Sequence, residues 1–534
     1  MIITLSGFRG ENRAQHPLNL PETVGTVSLN QNPARGDLRP WKMPLSVASV
    51  PAGEHTIYRM GRDVASDTNY WLSWTGVVHA VRGFIADDTT ERTYYTGDGF
   101  PKWTDNVLGL ASAPYPTAWR QLGIPAPASA PMLVASGGVS ALTETRFYTY
   151  TYISDKGEEG ANSAISVMLT CKTDAQISIT NLQAAPAGSF GINRIRIYRT
   201  QSNGTSSDPF LFLREIASTF NSTTDDNRTL GDVLPTTTWL TPPADMTCLT
   251  GLWNGMMAGI SGNSVRVCEA YKPYAWPLAY EVIPPNAKPV ALATFGQSLL
   301  VLTTAKPVLV TGGTPDSLDS QPIEVRQACV SARSVVGFGH GVAWACPDGL
   351  AYYGAGGAKM ITAGLLTRDD WQALAPSTLV GTMYEGAYLG FYTVGGVIKG
   401  FLVDPMNPTG LFFLDLLAQA AYFDEYQDQL YLLDGVSIKK WDAGAAMTTV
   451  FRSKLFHSPK PINLACAEIV ADTYPVSFKL YADGVLRHAC IALEQTPFRL
   501  PAGYRAQNWQ IELSSMGAVQ GCALASSMAE LRQV

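Results

Sequence analysis

The stretch that decides the fold runs from residue 385 to 396 and reads Glu385-Gly386-Ala387-Tyr388-Leu389-Gly390-Phe391-Tyr392-Thr393-Val394-Gly395-Gly396. A Gly-containing turn opens it, an apolar and aromatic run follows, and a second Gly-containing turn closes it. Short β-branched and aromatic runs bounded by turn residues are typical of hairpin strands. The stretch predicts such a strand, and it decides the fold because the same pattern recurs along the chain.

From residue 250 onward the chain repeats this unit of turn, apolar strand, turn and further strand. The first turns contain Asn254-Gly255, Gly296-Gln297, Gly339-His340-Gly341, Glu385-Gly386 and Gln427-Asp428. Counted from 254, 296, 340, 385 and 427, the steps are 42, 44, 45 and 42 residues. A period of about 40–45 residues is that of β-propeller blades, whose sheets complete their cores by radial stacking. We therefore predict an all-β chain built on a β-propeller, with an array of β-sandwiches of accidental spacing as the alternative.

The N-terminal part of the chain fits the same scheme. Apolar runs at 55–60 and 70–74, joined by the turn residues 66–69, predict one further blade. We assign residues 1–127 to the N-terminal part of the propeller, and 246–534 to the remaining blades and a C-terminal β segment.

The middle of the chain has a different pattern. Residues 124–131 form a Pro/Ala-rich stretch that predicts a stiff, extended linker. Period-two alternation follows in the runs 145–152, 177–179, 193–199 and 210–216. Such alternation suits antiparallel sheets with one wetted face each. We predict an immunoglobulin/fibronectin-like β-sandwich domain over 128–245, inserted in a propeller loop.

Composition limits the partners of this protein. Only 15% of the 534 residues are charged and the formal net charge is −6, with no basic stripe of the kind that grips phosphates. This argues against sequence-specific nucleic-acid binding, although nucleic acid can slide past a weakly acidic wall. Twelve Trp and 23 Tyr in a charge-poor chain predict that much of its surface contacts other chains.

The cysteines and apolar stretches bear on the compartment. The eight cysteines stand at positions 171, 248, 268, 329, 346, 466, 490 and 522, with no C-x-x-C among them. This spacing indicates neither zinc nor a disulfide framework, so we expect buried free thiols in a protein made in a reducing cytosol. The first residues lack the apolar core of a signal peptide, and the longest apolar stretch, 298–310, is too interrupted for a membrane span.

Motifs that would carry nucleotide chemistry are incomplete. Residues 354–359 have the glycines of a phosphate loop, but Met360 follows Lys359 where Ser or Thr is needed. We interpret this segment as a hairpin turn. His340 lies between two glycines and is likewise expected in a turn.

A propeller glycosidase would need carboxylates clustered at the centre of the blades. Asp348, Asp404 and Asp434 recur near strand ends, but each stands at a Gly or Pro turn, where Asp is favoured for local hydrogen bonding. The repeated Asp boxes of sialidase-like propellers are missing from the sequence. We therefore predict no catalytic, cofactor-binding or metal-binding residues, and a protein that is not an enzyme.

Several segments resemble tail proteins of short-tailed phages. The opening run comprises Asn19-Leu20-Pro21-Glu22, Gly25-Thr26-Val27-Ser28-Leu29-Asn30 and Arg35-Gly36-Asp37-Leu38-Arg39-Pro40. The resemblance continues at 150–152, 157–160, 195–199, 252–259, 274–277, 327–334, 347–350, 478–484 and 498–504. It covers nearly the whole chain, without a catalytic signature, and the family is similar to the nozzle (tubular tail) proteins of podoviruses.

The resemblance implies a structural protein of the virion tail, assembled in the cytoplasm of the bacterial host. Six copies would form a ring below the portal and the head-to-tail adaptor and continue the DNA-ejection channel. Contact with the exiting genome would be non-specific, and the inserted sandwich would touch a neighbour or anchor fibres or tailspikes. A related tail-hub component, a receptor-binding tail protein and a carbohydrate-active propeller enzyme remain open as alternatives.

Overall fold

The computed structural model describes residues 2–61, 66–85, 88–226, 229–235, 237–285 and 287–532. The chain divides into two compact units. The first, unit 1, comprises Met1–Thr75, Leu302–Pro307 and Ile323–Val534, and unit 2 comprises Gly76–Val301 and Val308–Pro322.

Strands dominate the described residues. The first seven are β1 (Ile2–Leu5), β2 (Val27–Leu29), β3 (Gln31–Asn32), β4 (Arg39–Pro40), β5 (Leu45–Ser49), β6 (Thr56–Arg59) and β7 (Trp71–Trp74). Then follow β8 (His79–Arg82), β9 (Thr93–Thr96), β10 (Lys102–Thr104), β11 (Arg120–Gln121), β12 (Met132–Ser136), β13 (Thr143–Arg146), β14 (Tyr148–Ser154), β15 (Leu169–Lys172), β16 (Gln176–Thr180), β17 (Ile192–Arg199), β18 (Leu211–Ala217), β19 (Thr223–Asp225), β20 (Thr247–Gly251), β21 (Met257–Ser261), β22 (Ser264–Val267), β23 (Pro289–Phe295), β24 (Ser298–Thr303), β25 (Val308–Thr311) and β26 (Asp319–Pro322). The remainder are β27 (Val336–Gly337), β28 (Gly341–Cys346), β29 (Gly349–Gly354), β30 (Gly357–Met360), β31 (Val380–Tyr384), β32 (Ala387–Val394), β33 (Val397–Val403), β34 (Phe412–Leu414), β35 (Ala420–Asp424), β36 (Gln429–Asp434), β37 (Ser437–Lys440), β38 (Thr449–Arg452), β39 (Phe456–Ile462), β40 (Cys466–Ala471), β41 (Val476–Ala482), β42 (Val485–Ala492), β43 (Phe498–Arg499), β44 (Ala506–Ser515) and β45 (Val519–Ala525).

Helices are short and few among the described residues. They are α1 (Asn106–Gly109), α2 (Arg368–Ala373), α3 (Met528–Leu531) and the 3-10 turns Leu278–Tyr280, Pro315–Ser317, Ala332–Ser334 and Pro376–Thr378. Over the part of the chain that is described, no helix has the length and hydropathy to cross a bilayer. The prediction of an all-β chain is confirmed.

The predicted repeat is visible as a series of hairpins. Each of the five first turns lies between consecutive antiparallel strands, and in unit 1 these pairs are β27–β28, β31–β32 and β35–β36. The turn chemistry explains the positions, because Glu385 and Gly386 both have positive φ, at 48° and 76°. Four-stranded antiparallel sheets result, with the orders β23-β24-β25-β26 in unit 2 and β27-β28-β29-β30 in unit 1.

In unit 1, one four-stranded sheet combines distant parts of the chain. It has the order β35-β36-β37-β5, so a strand near the N-terminus completes a hairpin pair that lies about 390 residues later, as in the pairing of Ala48 with Ile438. Buried aromatic and aliphatic side chains from these strands and their neighbours pack against Trp41 and Trp441.

The C-terminal strands of unit 1 form two sheets around a common core. One has the order β1-β45-β40-β43; the other is the far end of a ten-stranded sheet with the order β31-β32-β33-β34-β2-β38-β44-β41-β42, to which β39 adds on β44. Side chains in β41 alternate between buried and half-buried because successive residues of a strand point to opposite faces. Their buried face packs with Ile3, Leu5 and Leu524, so the first and last strands share this core.

The opening run that carries the family resemblance connects distant segments of unit 1. Asn30 adopts a left-handed conformation with φ 56°, which asparagine tolerates better than most residues. Its amide donates to the carbonyl of Thr448 at 3.0 Å and accepts from the backbone N–H of Asp415 at 2.8 Å. Its backbone N–H donates to the carbonyl of Phe413 at 2.8 Å, and its carbonyl accepts from the N–H of Trp41. One residue thus fixes three segments of unit 1, two of them through its side chain and the third through its backbone.

In unit 2, strands between residues 132 and 225 pair with one another in the orders β12-β16-β19, β14-β17-β18 and β13-β15. Buried tyrosines of β14 pack against isoleucines of β16 and β17 in one hydrophobic cluster. The period-two runs of the sequence correspond to these strands, but the expected alternation of a buried and a wetted face fails in β14, whose seven residues are all buried.

A buried ionic network crosses this region of unit 2. The carboxylate of Asp225 is fully buried, accepts from the hydroxyl of Tyr148 at 2.7 Å and lies 3.3 Å from Arg146 Nη1 and 3.3 Å from Arg199 Nε. Burial, with the Asp225 charge adding to it, raises the pKa of Tyr148 well above its usual value, so this hydroxyl stays a proton donor.

A hairpin tip at residues 155–158 is held against the sheet β8–β11 by ion pairs. Glu158 lies 2.6 Å from Arg92, whose guanidinium carbon stands 3.8 Å above the ring of Trp103. Arg120 binds Asp155 with two nitrogens. These contacts join the two parts of unit 2 on either side of the Pro/Ala-rich stretch.

Candidate functional site

A cleft of about 680 Å³ lies in unit 1. Its lining combines the opening run with the hairpins of the repeat: Phe8, Arg9, Asn32, Pro33, Ala34, Arg35, Gly36, Trp41, His340, Tyr384, Glu385, Gly386, Ala387, Leu402, Asp404, Met406, Asn407, Thr409 and Phe412. The opening run reaches the cleft because the N–H of Phe8 donates to the carbonyl of Gly36, which places two loops side by side. A concave site with a few polar groups on an apolar lining is the usual form of a ligand site.

The cleft carries charges of both signs. Arg9 and Arg35 are exposed and make no ion pair within the described part of the chain. Opposite in charge are Glu385 and Asp404, both exposed as well. The Asp404 carboxylate accepts the backbone N–H of Met406 at 2.8 Å, as expected for an Asp in a turn.

Glu385 is the acid of this cleft whose carboxyl pKa is raised. Burial raises the pKa of its carboxyl, and the neighbouring carboxylates of Asp442 and Asp428 raise it further. All three acids have positive φ, at 48°, 53° and 49° respectively, because each stands in a tight turn beside a strand. A carboxyl that keeps its proton to higher pH can serve as a hydrogen-bond donor or a general acid.

Aromatic side chains form the base of the cleft. The ring of Trp41 lies 5.2 Å from that of Trp441 and 5.9 Å from that of Tyr384, between ring centroids. Tyr384 and Trp441 are 6.0 Å apart, so the three rings form one cluster with tilted and edge-on contacts. Trp41 is 2% exposed and therefore shapes the cleft without offering a free face to a ligand.

The carboxylates and the histidine that the sequence singled out are divided. His340 and Asp404 both line the cleft, whereas Asp348 and Asp434 are not part of its lining. Asp348 pairs with Arg368 at 3.2 Å and accepts from Gln327, and Asp434 pairs with a lysine five residues later. Asp348 and Asp434 thus have side-chain partners outside the cleft lining, close in sequence only for Asp434.

The glycine-rich segment is a hairpin turn, as predicted. Residues 355 and 356 connect β29 to β30, and the Lys359 ammonium lies 5.1 Å from the ring centroid of Tyr352. His340 is exposed in its turn and its ring lies 6.2 Å from that same tyrosine.

The prediction of buried free thiols is confirmed for seven cysteines, while Cys490 is half-buried. Burial raises the pKa of Cys248 and Cys346 to about 11 and that of Cys268 to about 12, so these thiols stay protonated near neutral pH. Across the described ranges, no group of three or more His, Cys, Asp or Glu is arranged to hold a metal ion.

Sequence reasoning missed Arg9, Arg35 and Glu385 as members of one site. The signal was present in part, since Arg35 and Glu385 each belong to a segment that the sequence singled out for other reasons. What joins them is long-range packing across some 350 residues of chain, which local patterns do not encode.

Comparisons with known proteins give little further information. No protein-family model matches the chain, and no curated protein gives a significant match. Two similar solved structures are extracellular domains from B. thetaiotaomicron, one described as a hybrid two-component system and the other as a one-component system. They are 8% and 9% identical, with TM-scores of 0.27 and 0.25. Each match covers 89% of this chain and 57% of the other, so the chain spans less than two thirds of those domains.

Proposed function

We propose that this protein is a structural component of a short phage tail: a ring-shaped nozzle that continues the DNA-ejection channel below the portal and adaptor. The observation that carries the proposal is the role of the opening run. Its Asn30 fixes three segments of unit 1, and its Leu38 is fully buried. These residues, which resemble the tail-protein family, therefore hold parts of unit 1 together. Such a structural role is expected if the chain shares the architecture of that family.

We propose a β-propeller with an inserted β-sandwich as the finer architecture. Small antiparallel sheets follow one another at steps of 42–45 residues, the spacing of blades. The pairing of β5 with β37 supports ring closure, because a ring of sheets made by one chain needs a strand from its start to complete a sheet near its end. The sheets of residues 132–225 in unit 2 correspond to the inserted sandwich.

The sandwich would hold fibres, tailspikes or a neighbouring subunit. It presents apolar side chains that a monomer in water would bury: Met132 and Val134 on the terminal strand β12 are 63% and 59% exposed, and Val139 and Val167 are 93% and 88% exposed. Val134→Asp and Val139→Asp should leave the protein folded but yield particles that lack the attached component. Normal, fully decorated particles from the double variant would remove this role.

The copy number of the protein in purified virions, measured by quantitative mass spectrometry against the portal, tests the proposal. Half the portal's copy number supports a six-fold ring in the tail. Absence from the particle would refute the structural assignment. A receptor-binding tail protein would instead bind host cells when purified, which a cell-binding assay measures directly.

The cleft favours one second candidate, a carbohydrate-active protein. Glu385, whose carboxyl has a raised pKa, and Asp404 both line it, and paired carboxyls are what glycoside hydrolysis uses. Turnover of host surface glycans by the purified protein, abolished by both Glu385→Gln and Asp404→Asn, would establish this activity. Lys399→Ala, at an exposed residue outside the cleft lining, serves as the control. No turnover by the wild-type protein would retire the candidate.

A further inference from the structure

The long sheet of unit 1 ends in two edges of different character. Its strand order starts at β31 and finishes at β42, eight strand spacings away. At about 4.8 Å per spacing, the two edges are on the order of 38 Å apart in an untwisted sheet. Among the described residues, no salt bridge joins the arginines near one edge to the acids near the other.

The β42 edge is apolar and unpaired. Among the described strands, β42 pairs with β41 alone, over eight residues. Ile491 at its end and Leu493 just beyond it are 65% and 75% exposed. Beside them lies a groove of about 400 Å³, bounded by His488–Glu494 and Thr496–Arg499. Long, exposed, apolar edge strands are ones that folded proteins normally cover.

Arginines surround this edge without carboxylate partners. Arg487, Arg499 and Arg505 are exposed, and none of them forms a salt bridge within the described ranges. Arg487 lies over the ring of Tyr504 at 5.2 Å, next to Arg505, and Arg499 lines the groove. Glu494 is the acid in the groove lining, so the edge keeps an excess of positive charge.

The turn at the β31 edge brings three acids together, in a cleft that Arg9 and Arg35 also line. Glu385 stands in the turn between β31 and β32, and its carboxyl is close enough to Asp442 and Asp428 for both to act on it electrostatically. Over the described residues, no lysine or arginine lies within salt-bridge distance of these three acids. Asp442 accepts the backbone N–H of Lys42 at 2.7 Å and lies within reach of its charge, which offsets only part of the repulsion among the three acids, so a cationic partner is favoured.

We propose that the β42 edge, with its groove and its arginines, docks a second copy of this chain, which presents its acidic turns at Glu385, Asp428 and Asp442. Opposite charges at opposite ends of one sheet make the contact head-to-tail, with different surfaces on the two partners. Such a heterologous contact closes into a ring or continues as a filament, according to the rotation between copies. It deepens the proposed nozzle by naming the contact between subunits, and in that respect rests on it.

Charge reversal tests the contact in the purified full-length protein. Arg499→Glu/Arg505→Glu reverses the basic edge, and Glu385→Lys/Asp428→Lys reverses the acidic turns. Each double variant alone should weaken self-association at least about 100-fold in sedimentation velocity, because like charges then face each other. An equal mixture of the two variants should associate again, because the acidic edge of one variant then faces the basic turns of the other.

Two controls separate this contact from general charge effects. Arg326→Glu/Lys399→Glu changes the net charge equally at exposed residues outside both surfaces and should associate like the wild type. Raising the salt from about 0.1 M to about 1 M, which shortens the screening length from ~10 Å to ~3 Å, should weaken the wild type and strengthen the residual association of the reversed variants, because it screens their repulsion. Circular dichroism of every variant should match that of the wild type.

Three results would overturn the proposal: a wild-type chain that stays monomeric at high concentration, an acid-reversed variant that associates normally, or a mixture that fails to associate. Each leaves the nozzle assignment standing, because particle copy number measures that separately. Conversely, absence of the protein from virions removes the nozzle assignment and leaves a head-to-tail contact measured in solution intact.

Discussion

Replacing Asp225 by alanine measures what the buried ionic network of unit 2 contributes. The carboxylate is 0% exposed, and Arg146 and Arg199, which it pairs with, are 2% and 6% exposed. Without it, two guanidinium groups stay buried with less negative charge to balance them, and the Tyr148 hydroxyl loses its acceptor at 2.7 Å. Removing one partner of a buried ion pair costs about 3–5 kcal/mol.

Differential scanning calorimetry of the full chain is the assay, read at the transition that belongs to unit 2. For a unit of roughly 150–250 residues, 1 kcal/mol lowers the midpoint by about 2–4 °C, so Asp225→Ala should lower it by roughly 6–20 °C. Asp226→Ala is the matched control, because the neighbouring carboxylate is exposed and lies 3.5 Å from Arg214. Its loss should cost about 0–1 kcal/mol.

Asp225→Asn separates charge from hydrogen bonding, since the amide oxygen still accepts from Tyr148 while both ion pairs disappear. We expect a loss close to that of the alanine variant. The reasoning fails if Asp225→Ala shifts the transition no more than Asp226→Ala does, because the buried arginines would then be satisfied without this carboxylate.

Three further outcomes are expected. N-ethylmaleimide should label Cys490 first in the native protein, since the other seven thiols are buried. Mass spectrometry should find those seven labelled only after unfolding. Rapid labelling of a second cysteine in the folded protein would contradict their burial. Burial raises the pKa of Glu512, but its hydrogen-bonded lysine and arginine outweigh burial, and the pKa in the folded protein is lowered. The ionised carboxylate therefore stabilises the fold above its unfolded pKa, and this stabilisation is lost as the pH falls through its folded pKa. Glu512→Gln should flatten the decline of the unfolding temperature below about pH 4.3, and a decline equal to that of the wild type would refute this. Arg92→Ala removes the contact with Glu158 and the cation–π contact with Trp103. Denaturant unfolding followed by tryptophan fluorescence should show a free energy of unfolding lower by about 1–3 kcal/mol. Arg92→Lys should recover this free energy only in part, and complete recovery would show that a point charge alone suffices.

Local turn chemistry explains why the hairpins could be predicted. Gly386 and Gly435 have positive φ. Glycine is favoured at such turns because it has no Cβ, and its positions can be read directly from the sequence. The runs at 145–152 and 193–199 likewise map to β14 and β17, although β14 is buried along its whole length and so does not show the wetted face that its alternation predicts.

Long-range pairing explains what the sequence did not reveal. Nothing in the residues 45–49 marks them as partners of β37, and nothing marks β1 as the neighbour of β45. The C-terminal β segment was predicted without its arrangement in two sheets, since alternation specifies faces but not neighbours. The cleft depends on Arg9 and Arg35 meeting Glu385, which only those pairings bring about.

The pairing of β1 with β45 sets an order of events during synthesis. Ile2 is synthesised about 520 residues before its partner Ala525, and β5 is likewise synthesised long before β37. Unit 2 is almost contiguous from Gly76 to Val301, so it can fold while the rest is still being translated. A chain that stops before β45 leaves β1 without its pairing strand and an edge of β40 uncovered. Only chains synthesised through β45 therefore have a complete C-terminal core, so the fold of unit 1 itself distinguishes full-length from truncated chains.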